Sequence, residues 1–508
     1  MHRSAAEGVF RLHGSLRSRV LSVVLTALAA TSTACGGDTT APEPSSLRFI
    51  AGNSVTDTAL ARPVQAVVVE IHNGSSARLS GFAVRFQALP YDSGTVSEPS
   101  MLIAPLTSAF FSTFVVDSTD ASGHAAVLMQ LGRHAGTARV VASVPELGVE
   151  DTATVTIVAG AAARVSMMPR DTAVYVNGTV QLRAAVTDQN GNPRTDPVTY
   201  VADAASISVS SGGLVTGRSI GRAMVIGQAE WMADTGWISV VPQGTVGALR
   251  FTDPVGVVMF NLDGSGYKWL APTQLYIYTD GVAIPNDVTP YWSPSGTELV
   301  FATGDSSGPF LHAVDVSGHE QTFLHPSPPG LVGETWPHYS RDGSWVYFSG
   351  RVSGSNYKLW RAHGDGSAPE PLAGLDAYGI AWQPSPSPDG TRVAFASDGG
   401  TIRILDLGTD TVSSWGVAGQ TPRWSPAGDQ IAFKNFTGGP LSVVHADGTA
   451  ARTISQAGDA FAGAFDWSPD GQWIIARGAT SLVLINVQSG LTLPLGFTSN
   501  FAQPTWRP

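Results

Sequence analysis

The sequence predicts an all-β protein in which two β-sandwiches are followed by a six-bladed β-propeller that the C-terminal strand closes. Three observations carry this prediction. The 508 residues include 56 Gly and 33 Pro but only 14% charged residues, which disfavours long helices and coiled coils. Short apolar runs alternate with polar residues and are separated by turn signals. In the second half of the chain, an aromatic-Ser-Pro motif recurs at regular spacing.

The N-terminus has the pattern of an export signal. An uncharged run over residues 20–30 is followed by small residues that end at Ala34. This run is too short to span about 30 Å of hydrocarbon as a helix, and no later apolar run approaches the necessary length. We therefore predict a signal peptide over residues 1–34 and a mature chain that does not cross the membrane. The basic residues that begin the signal are Arg3, Arg11, Arg17 and Arg19.

The segment Ser32-Thr33-Ala34-Cys35 resembles a bacterial lipobox, whose cysteine is acylated and becomes the first residue after cleavage. Cys35 is the only cysteine, so no intramolecular disulfide can form, and acylation would remove an exposed thiol. Gly36 follows it, where many proteins retained at the inner membrane have Asp. The resemblance implies a lipid anchor at Cys35 in the outer membrane. The alternative is an ordinary secretory leader.

Residues 35–45 have no apolar periodicity and are rich in Gly, Pro and hydroxyl residues, which is typical of a tether. The formal net charge of the whole chain is −11. A nucleic-acid partner is therefore disfavoured, because binding to a phosphate backbone needs a basic surface.

The first predicted sandwich covers residues 46–160. Apolar residues alternate over 66–71, 81–86 and 125–129, and this period of two indicates sheets with one buried face. The segments 119–125, 131–132 and 136–138 resemble the bacterial Ig-like group 1 pattern.

The second predicted sandwich covers residues 161–243. Its segments 213–217, 221–223 and 235–240 resemble bacterial Ig-like group 2 domains. Asp188, Asn190 and Asn192 have the spacing of the first calcium ligands in a loop, but the distal Glu is missing, so we predict a hairpin turn and no metal site. Both modules are interpreted as spacers, with adhesion as the alternative.

Residues 244–508 contain the repeat. Most copies have an aromatic residue, Ser-Pro, an Asp-Gly-like turn and a short apolar strand, after which a second hairpin follows. Six such hairpins predict six four-stranded blades of about 44 residues each. The motif copies lie at residues 292–296, 339–343, 387–390, 424–428 and 467–471, with a truncated copy at 504–508.

The first blade has no motif copy of its own, whereas the final residues supply one with no blade after it. We therefore predict that the C-terminal strand completes the first blade and removes the open sheet edges. The repeated Trp-Ser-Pro-Asp-Gly followed by strands such as Gln430-Ile-Ala-Phe433 resembles the TolB-type propeller repeat. That resemblance implies a six-bladed propeller and a location in the cell envelope.

Catalytic motifs are weak. The segment Gly304-Asp-Ser-Ser-Gly308 fits a nucleophile elbow, but it falls between two strands with no helix after it, so a loop is predicted. No His-Glu-x-x-His motif occurs, and a single cysteine excludes a thiolate zinc cage. We therefore predict no cofactor or metal, and binding rather than catalysis. The alternatives are a propeller hydrolase or lyase that uses acidic and His residues of the channel, and a structural or adhesive surface protein.

The candidate site follows from the propeller geometry. The links that lead into the innermost strands crowd around one mouth of the central channel, where aromatic, Arg and acidic side chains would form a recognition site for a protein, peptide or glycan. The aromatic residue of each repeat is interpreted as packing between blades instead. The alternative is a solvated rim without a ligand. The candidate residues are Glu334, Trp336, His338, Tyr378, Trp382, Arg423, Asp466 and Phe501.

Overall fold

A computed structural model describes residues 45–91, 98–273, 289–305, 308–324, 327–352, 354–435, 439–455 and 461–508. The predicted signal peptide, Cys35 and nearly all of the tether lie outside these residues, as do Ser306 and Ser307 of the possible nucleophile elbow. Within the described ranges, the regular structure consists of β-strands and one 3₁₀ turn, Gly496–Thr498, which confirms the all-β prediction. No helix in this part of the chain has the length and apolar character needed to cross a membrane.

The chain divides into two compact units, of which the first contains residues up to 55, 62–131 and 137–156. The strands of the N-terminal module are β1 (Ser46–Ala51), β2 (Thr56–Thr58), β3 (Val67–His72), β4 (Ala83–Ala88), β5 (Met101–Pro105), β6 (Phe114–Ser118), β7 (His124–Leu131), β8 (Gly136–Val144) and β9 (Val149–Val158). One sheet has the order β1-β3-β7-β5, and another contains β9, β8, β4 and β6. Every second residue of β7 is buried, as expected for a sandwich.

The second unit begins with another sandwich-like module. Its strands are β10 (Ala162–Met168), β11 (Asp171–Tyr175), β12 (Thr179–Gln181), β13 (Arg183–Asp188), β14 (Pro193–Arg194), β15 (Thr199–Ala202), β16 (Ile207–Val209), β17 (Leu214–Gly217), β18 (Gly221–Ala229) and β19 (Met232–Val241). Three sheets form, with the orders β10-β13-β14, β11-β19-β18-β15 and β12-β17-β16. Met167, Val215 and Ile238 are fully buried in their shared core.

The segment with calcium-loop spacing is a turn of this module. Oδ1 of Asp188 accepts hydrogen bonds from the backbone N–H of Asn190 at 2.8 Å and of Asn192 at 2.9 Å. Its Oδ2 accepts from the backbone N–H of Gly160 at 2.9 Å and from Nδ2 of Asn192 at 2.8 Å. These donors account for both carboxylate oxygens, so the spacing of the polar residues serves the turn.

The rest of the described chain forms six four-stranded sheets, which are the blades of the predicted propeller. Blade 1 contains β20 (Thr245–Arg250), β21 (Gly256–Asn261), β22 (Lys268–Pro272) and the C-terminal strand. Blade 2 contains β23 (Tyr291–Trp292), β24 (Glu298–Asp305), β25 (Gly308–Asp315) and β26 (Glu320–Thr322). Blade 3 contains β27 (Leu331–Tyr339), β28 (Trp345–Val352), β29 (Lys358–His363) and β30 (Glu370–Pro371).

Blades 4 to 6 repeat the same up-and-down order. Blade 4 contains β31 (Ala381–Pro386), β32 (Arg392–Ser397), β33 (Thr401–Asp406) and β34 (Thr411–Ala418). Blade 5 contains β35 (Gln420–Trp424), β36 (Gln430–Lys434), β37 (Leu441–His445) and β38 (Arg452–Thr453). Blade 6 contains β39 (Ala462–Trp467), β40 (Trp473–Arg477), β41 (Leu482–Asn486) and β42 (Thr492–Leu495), after which β43 (Phe501–Trp506) joins blade 1.

The innermost strands form a closed ring in which β23, β27, β31, β35, β39 and β43 each contact the next, and β43 contacts β23. Strand β43 pairs antiparallel with β20, with Val246 opposite Trp506 and Arg250 opposite Phe501. The prediction that the C-terminal strand completes the first blade is therefore confirmed. Beyond β43, Nε of Arg507 donates to the backbone oxygen of Gly296 in blade 2 at 2.7 Å, which also links the two ends of the ring.

The repeated Ser-Pro-Asp-Gly segment is the turn between the first two strands of a blade. In blade 3, the Ser340 hydroxyl donates to Oδ1 of Asp342 at 2.6 Å and accepts the backbone N–H of Trp345 at 2.9 Å. Gly343 has φ of 74°, a left-handed conformation that glycine adopts without a steric penalty. Ser387 makes the same two contacts in blade 4. The motif is thus conserved between blades because it fixes a turn, and the differences between blades lie elsewhere.

The second sandwich-like module shares a core with the propeller. Ala173 and Val241 are buried in the same cluster as Val246 and Leu493. Across this junction, the Tyr175 hydroxyl donates to the backbone oxygen of Gly244 at 3.1 Å, and Ser239 Oγ donates to that of Pro494 at 2.9 Å. The two parts are therefore packed together as one compact unit.

We expect Trp506→Ala to destabilise the propeller, because Trp506 is 5% exposed in the closing strand and its loss leaves a cavity in the blade core. The expected cost is about 3–5 kcal/mol, measured by urea unfolding. Trp231→Ala is the matched control, since Trp231 is 77% exposed, and it should change stability by less than about 0.5 kcal/mol. Equal effects of the two substitutions would contradict the closing role of β43.

Candidate functional site

Six equivalent positions lie one residue before the aromatic position of the repeat, which Pro386 occupies in blade 4, near the end of each innermost strand. We call their occupants the channel residues. They differ in chemistry from blade to blade, whereas the turn that follows them is nearly constant. In blade order from blade 2, the channel residues are Tyr291, His338, Ser385, Arg423, Asp466 and Thr505.

A cavity of about 270 Å³ opens where the innermost strands end. Its inner lining includes Tyr291, His338 and Asp466. Aromatic rings of the repeats form the wall, and these are Trp292, Tyr339, Trp424, Trp467 and Trp506. The rim comes from the second residue after each aromatic position, occupied by Pro294, Arg341, Pro388, Pro426, Pro469 and Pro508.

Arg341 is the one rim position that is not proline. Its side chain is exposed and belongs to blade 3, yet its Nη1 donates to the backbone oxygen of Pro426 in blade 5. The side chain therefore reaches past blade 4 along the mouth of the cavity, where a ligand would meet it.

Asp466 joins the last blade to the closing strand. Its Oδ2 accepts the backbone N–H of Trp506 at 2.9 Å and the Thr505 hydroxyl at 2.9 Å. Its Oδ1 accepts the backbone N–H of Trp467 at 2.9 Å. Ser385 has the same role in blade 4, since its hydroxyl accepts the backbone N–H of Trp424 at 3.1 Å. Burial raises the pKa of Asp466 to about 6, although these hydrogen bonds and the charge of Arg423 oppose the shift.

Tyr291 and His338 stack at the inner end of the cavity with ring centroids 3.7 Å apart. Burial, and to a lesser degree the positive charge of Arg423, hold the pKa of His338 well below its usual range, so the imidazole is neutral at pH 7. Its Nδ1 lies 2.9 Å from the backbone oxygen of Tyr339 and donates to it in the neutral ring. Burial also raises the pKa of Tyr291 well above its ordinary value.

Arg423 is 1% exposed, which makes it one of the largest fully buried side chains in the described part of the protein. Its Nη1 donates to the backbone oxygen of Pro422 at 3.1 Å, while Nε and Nη2 have no hydrogen-bond partner there. Burial lowers the pKa of the guanidinium, and the charges of Tyr291 and Asp466 oppose this shift. The side chain nevertheless stays charged, because an arginine does not lose its proton in a protein.

Lys434 adds a second buried cation in blade 5. Its Nζ donates to the backbone oxygen of Gly463 in blade 6 at 2.7 Å. Burial and, to a lesser degree, the neighbouring charge of Arg423 together lower the pKa of the ammonium group to about 8. At pH 7, the charged groups beside the channel among the described residues are therefore two cations, Arg423 and Lys434, and one carboxylate, Asp466.

The structure places two of the eight residues proposed from the sequence, His338 and Asp466, in the cavity lining. A third, Arg423, occupies the equivalent position in β35 and is buried there. All three lie within innermost strands rather than in the links before them. Moreover, the cavity opens where these strands end, whereas the sequence placed the site where they begin.

The other five residues lie elsewhere. Glu334 accepts the backbone N–H of Leu311 at 3.1 Å and the Ser327 hydroxyl at 3.3 Å, so it joins neighbouring blades. Trp336 is 4% exposed within β27. The remaining three pack within or between blades: Phe501 stacks 4.9 Å from Phe260, Tyr378 lies 6.3 Å from Phe395, and Trp382 is half-buried in β31.

Sequence reasoning missed Tyr291, Lys434 and the proline rim. The signal for the rim was present, because the Ser-Pro part of the motif recurs in register with the aromatic residue. Tyr291 could have been found as the residue before Trp292 once the channel position was recognised. Lys434 had no signal, since its contact with Gly463 depends on how blades 5 and 6 pack. In the described ranges, no group of three or more His, Cys, Asp or Glu side chains is arranged to hold a metal ion.

No protein-family model matches the chain. An uncharacterised protein of Agrobacterium fabrum is 31% identical over 170 residues, which are 28% of this chain and 53% of that protein. The chain thus spans about half the length of this curated relative.

Solved structures are similar at low identity. The crystal structure of TolB from Acinetobacter baumannii is 15% identical, with 61% of this chain and 83% of that one covered and a TM-score of 0.43. A chain of the nidogen/laminin complex is 8% identical, with coverage of 52% and 98% and a TM-score of 0.39. Because both scores are below 0.5, the fold assignment depends on the strand order described above.

We expect the stability of the propeller to fall as the pH rises through about 6. Folding raises the pKa of Asp466 from an ordinary value of 3.8 to about 6, so the folded state favours the protonated carboxyl. The contribution of Asp466 to the free energy of unfolding is therefore fully present below pH 4. It is lost as the carboxyl ionises in the folded chain, with a total change of roughly 3 kcal/mol. Urea unfolding from pH 4 to 8 measures this change as the difference between wild type and Asp466→Asn. A difference between wild type and Asp466→Asn that does not change with pH would contradict this prediction.

Proposed function

We propose that this protein is a non-catalytic binding protein of the cell envelope, anchored by an acylated Cys35, whose propeller cavity takes a short segment of a partner. The two sandwich-like modules would carry the propeller away from the membrane. The observation that supports this proposal most directly is the cavity of about 270 Å³ with its wall of aromatic rings and its proline rim. Rigid walls that combine apolar rings with polar groups at the inner end are typical of recognition sites.

The chemistry of Asp466 favours binding over catalysis. A general acid or base must exchange a proton with its substrate, but three hydrogen bonds from the protein already use both oxygens of this carboxylate. The neighbouring His338 supports a hydrolase or lyase as a second candidate, because its pKa is strongly shifted and it lines the cavity. That candidate would need His338 to act without a free carboxylate beside it.

Adhesion is supported by a separate feature of the N-terminal module. Large apolar side chains are exposed between residues 106 and 116, with Phe110 87% and Leu106 55% exposed. Such side chains on a surface loop and an adjoining strand can contact another macromolecule. This surface is distinct from the cavity, so the two kinds of binding can be separated by substitution.

The cavity proposal is tested by selecting ligands for the full chain from a random peptide library and a glycan array. Pro388→Trp places a bulky side chain on the rim, and Pro371→Trp is the control on an exposed strand of blade 3. We expect Pro388→Trp to weaken binding of the selected ligands at least tenfold and Pro371→Trp to leave it unchanged, as measured by calorimetry. Ligands that bind both variants equally, or that lose affinity only with Phe110→Ser, would contradict binding in the cavity.

The anchor is tested by growing cells that express the chain with an alkyne-labelled fatty acid. We expect label on the wild-type chain and its recovery with outer membranes, because acyl chains bury many methylene groups in the bilayer. Cys35→Ser should lose both the label and the membrane association. An unlabelled wild-type chain would indicate an ordinary secretory leader instead.

A further inference from the structure

We propose that the inner end of the cavity is a carboxylate site, in which Nε and Nη2 of Arg423 hold a carboxylate group of a bound peptide. This inference depends on the proposed function, since it names the chemical group that a ligand of the same cavity presents.

The guanidinium of Arg423 has one edge without a hydrogen-bond partner in the described structure. Nη1 is occupied by the backbone oxygen of Pro422, whereas Nε and Nη2 have no partner in the described structure. The N–H bonds on that edge are parallel and are spaced to match the two oxygens of a carboxylate. An unpartnered charge this deeply buried is costly, so a ligand that supplies two acceptors gains from pairing with it.

The neighbouring carboxylates of the described chain are already used. Both oxygens of Asp466 accept hydrogen bonds that join blade 6 to the closing strand. Glu334 is held by Leu311 and Ser327 between blades. Neither forms an ion pair with Arg423, so the partner for its free edge must come from outside these residues.

Arg423 occupies in β35 the channel position that Tyr291, His338 and Asp466 occupy in their own strands, and these three residues line the cavity. Its backbone oxygen accepts the indole N–H of Trp467, a wall residue, at 3.0 Å. The guanidinium is buried beside this lining, and its charge acts on the pKa of all three residues. Lys434 provides a second positive charge in the same blade. The Thr421 hydroxyl, two residues before Arg423, is likewise buried without a hydrogen-bond partner and offers a further donor. The inner end thus has more donors and positive charge than its own acceptors neutralise.

The walls of the cavity indicate which kind of ligand presents the carboxylate. Indole rings of Trp292, Trp424 and Trp467, with proline rings at the rim, offer mostly apolar contact area. A peptide with an apolar side chain beside its terminal carboxylate suits these walls better than a sugar acid, whose many hydroxyl groups would lose hydrogen bonds to water. We therefore assign the site to a peptide carboxylate.

The test uses the full chain and follows the fluorescence of the cavity tryptophans by titration. N-acetylphenylalanine presents a terminal carboxylate, its amide is the neutral match, the α-amide of N-acetylglutamate presents a side-chain carboxylate, and glucuronate represents a sugar acid. We expect N-acetylphenylalanine to bind at least tenfold more tightly than its amide and than glucuronate. The ratio of the affinities for N-acetylphenylalanine and for the α-amide of N-acetylglutamate shows whether the bound carboxylate is terminal or on a side chain.

Arg423→Gln should reduce the affinity for N-acetylphenylalanine at least tenfold, to that of the amide, and leave the affinity for the amide unchanged. Retained binding of the amide shows that the variant is folded. Arg452→Gln, at an exposed residue of blade 5, should behave as wild type. If Arg423→Lys, which keeps the charge but not the parallel donors, bound the acid as tightly as wild type, the two-point contact would be wrong.

Three other results would overturn the inference. Equal binding of the acid and the amide would contradict the carboxylate site but not binding in the cavity. Binding in the cavity is tested separately by Pro388→Trp. Tighter binding of glucuronate would replace the peptide by a sugar acid. A wild-type chain that binds none of the four probes at 10 mM, a concentration on the order of a weak small-ligand Kd, would contradict the site altogether.

Discussion

The rest of the structure depends on the pairing of the C-terminal strand with β20. This pairing brings the first and last blades together and completes a ring of six innermost strands. It also places Trp506 and Thr505 beside Asp466, so that one carboxylate stabilises the closure from inside the channel. Without a closed ring, the aromatic wall and the six channel residues would not surround a common space.

Within each repeat, the residues that fix the turn are different from the residues at the channel position. Serine hydroxyls and left-handed glycines fix the same turn in successive blades, and these residues vary little because the turn geometry is the same. The channel positions differ in chemistry from blade to blade, although Ser385, Asp466 and Thr505 also form hydrogen bonds between blades. They hold a phenol, an imidazole, two hydroxyls, a guanidinium and a carboxylate. Arg341 is a comparable departure at the rim, where the other blades have proline. The side chains that differ between blades therefore lie at the channel and rim positions.

The sequence predicted the architecture well because a propeller is repetitive, so that motif spacing alone gives the number of blades and the need for a closing strand. It predicted the site only in part. Trp336, Gln383 and Thr421 have positive φ and mark bulges that extend the innermost strands backward, so the supposed links are in fact buried strand. A motif gives the position of a residue within its blade, but contacts such as that between Lys434 and Gly463 depend on the packing of two blades.

The most direct test of this account is a disulfide between β20 and β43. Gly247 pairs with Thr505 across the two strands, and a Cβ at Gly247 would lie 3.2 Å from Cγ2 of Thr505 and 3.1 Å from Cδ1 of Leu299. In a Cys35→Ser background, Gly247→Cys with Thr505→Cys is therefore close enough to bond once the Leu299 side chain shifts by a few tenths of an ångström. We predict rapid oxidation to an intramolecular disulfide in the native chain, detected by mass spectrometry of proteolytic fragments. Gly247→Cys with Thr411→Cys, on the outermost strand of blade 4, should stay reduced. Failure of the first pair to oxidise while the protein is folded would contradict the closed ring.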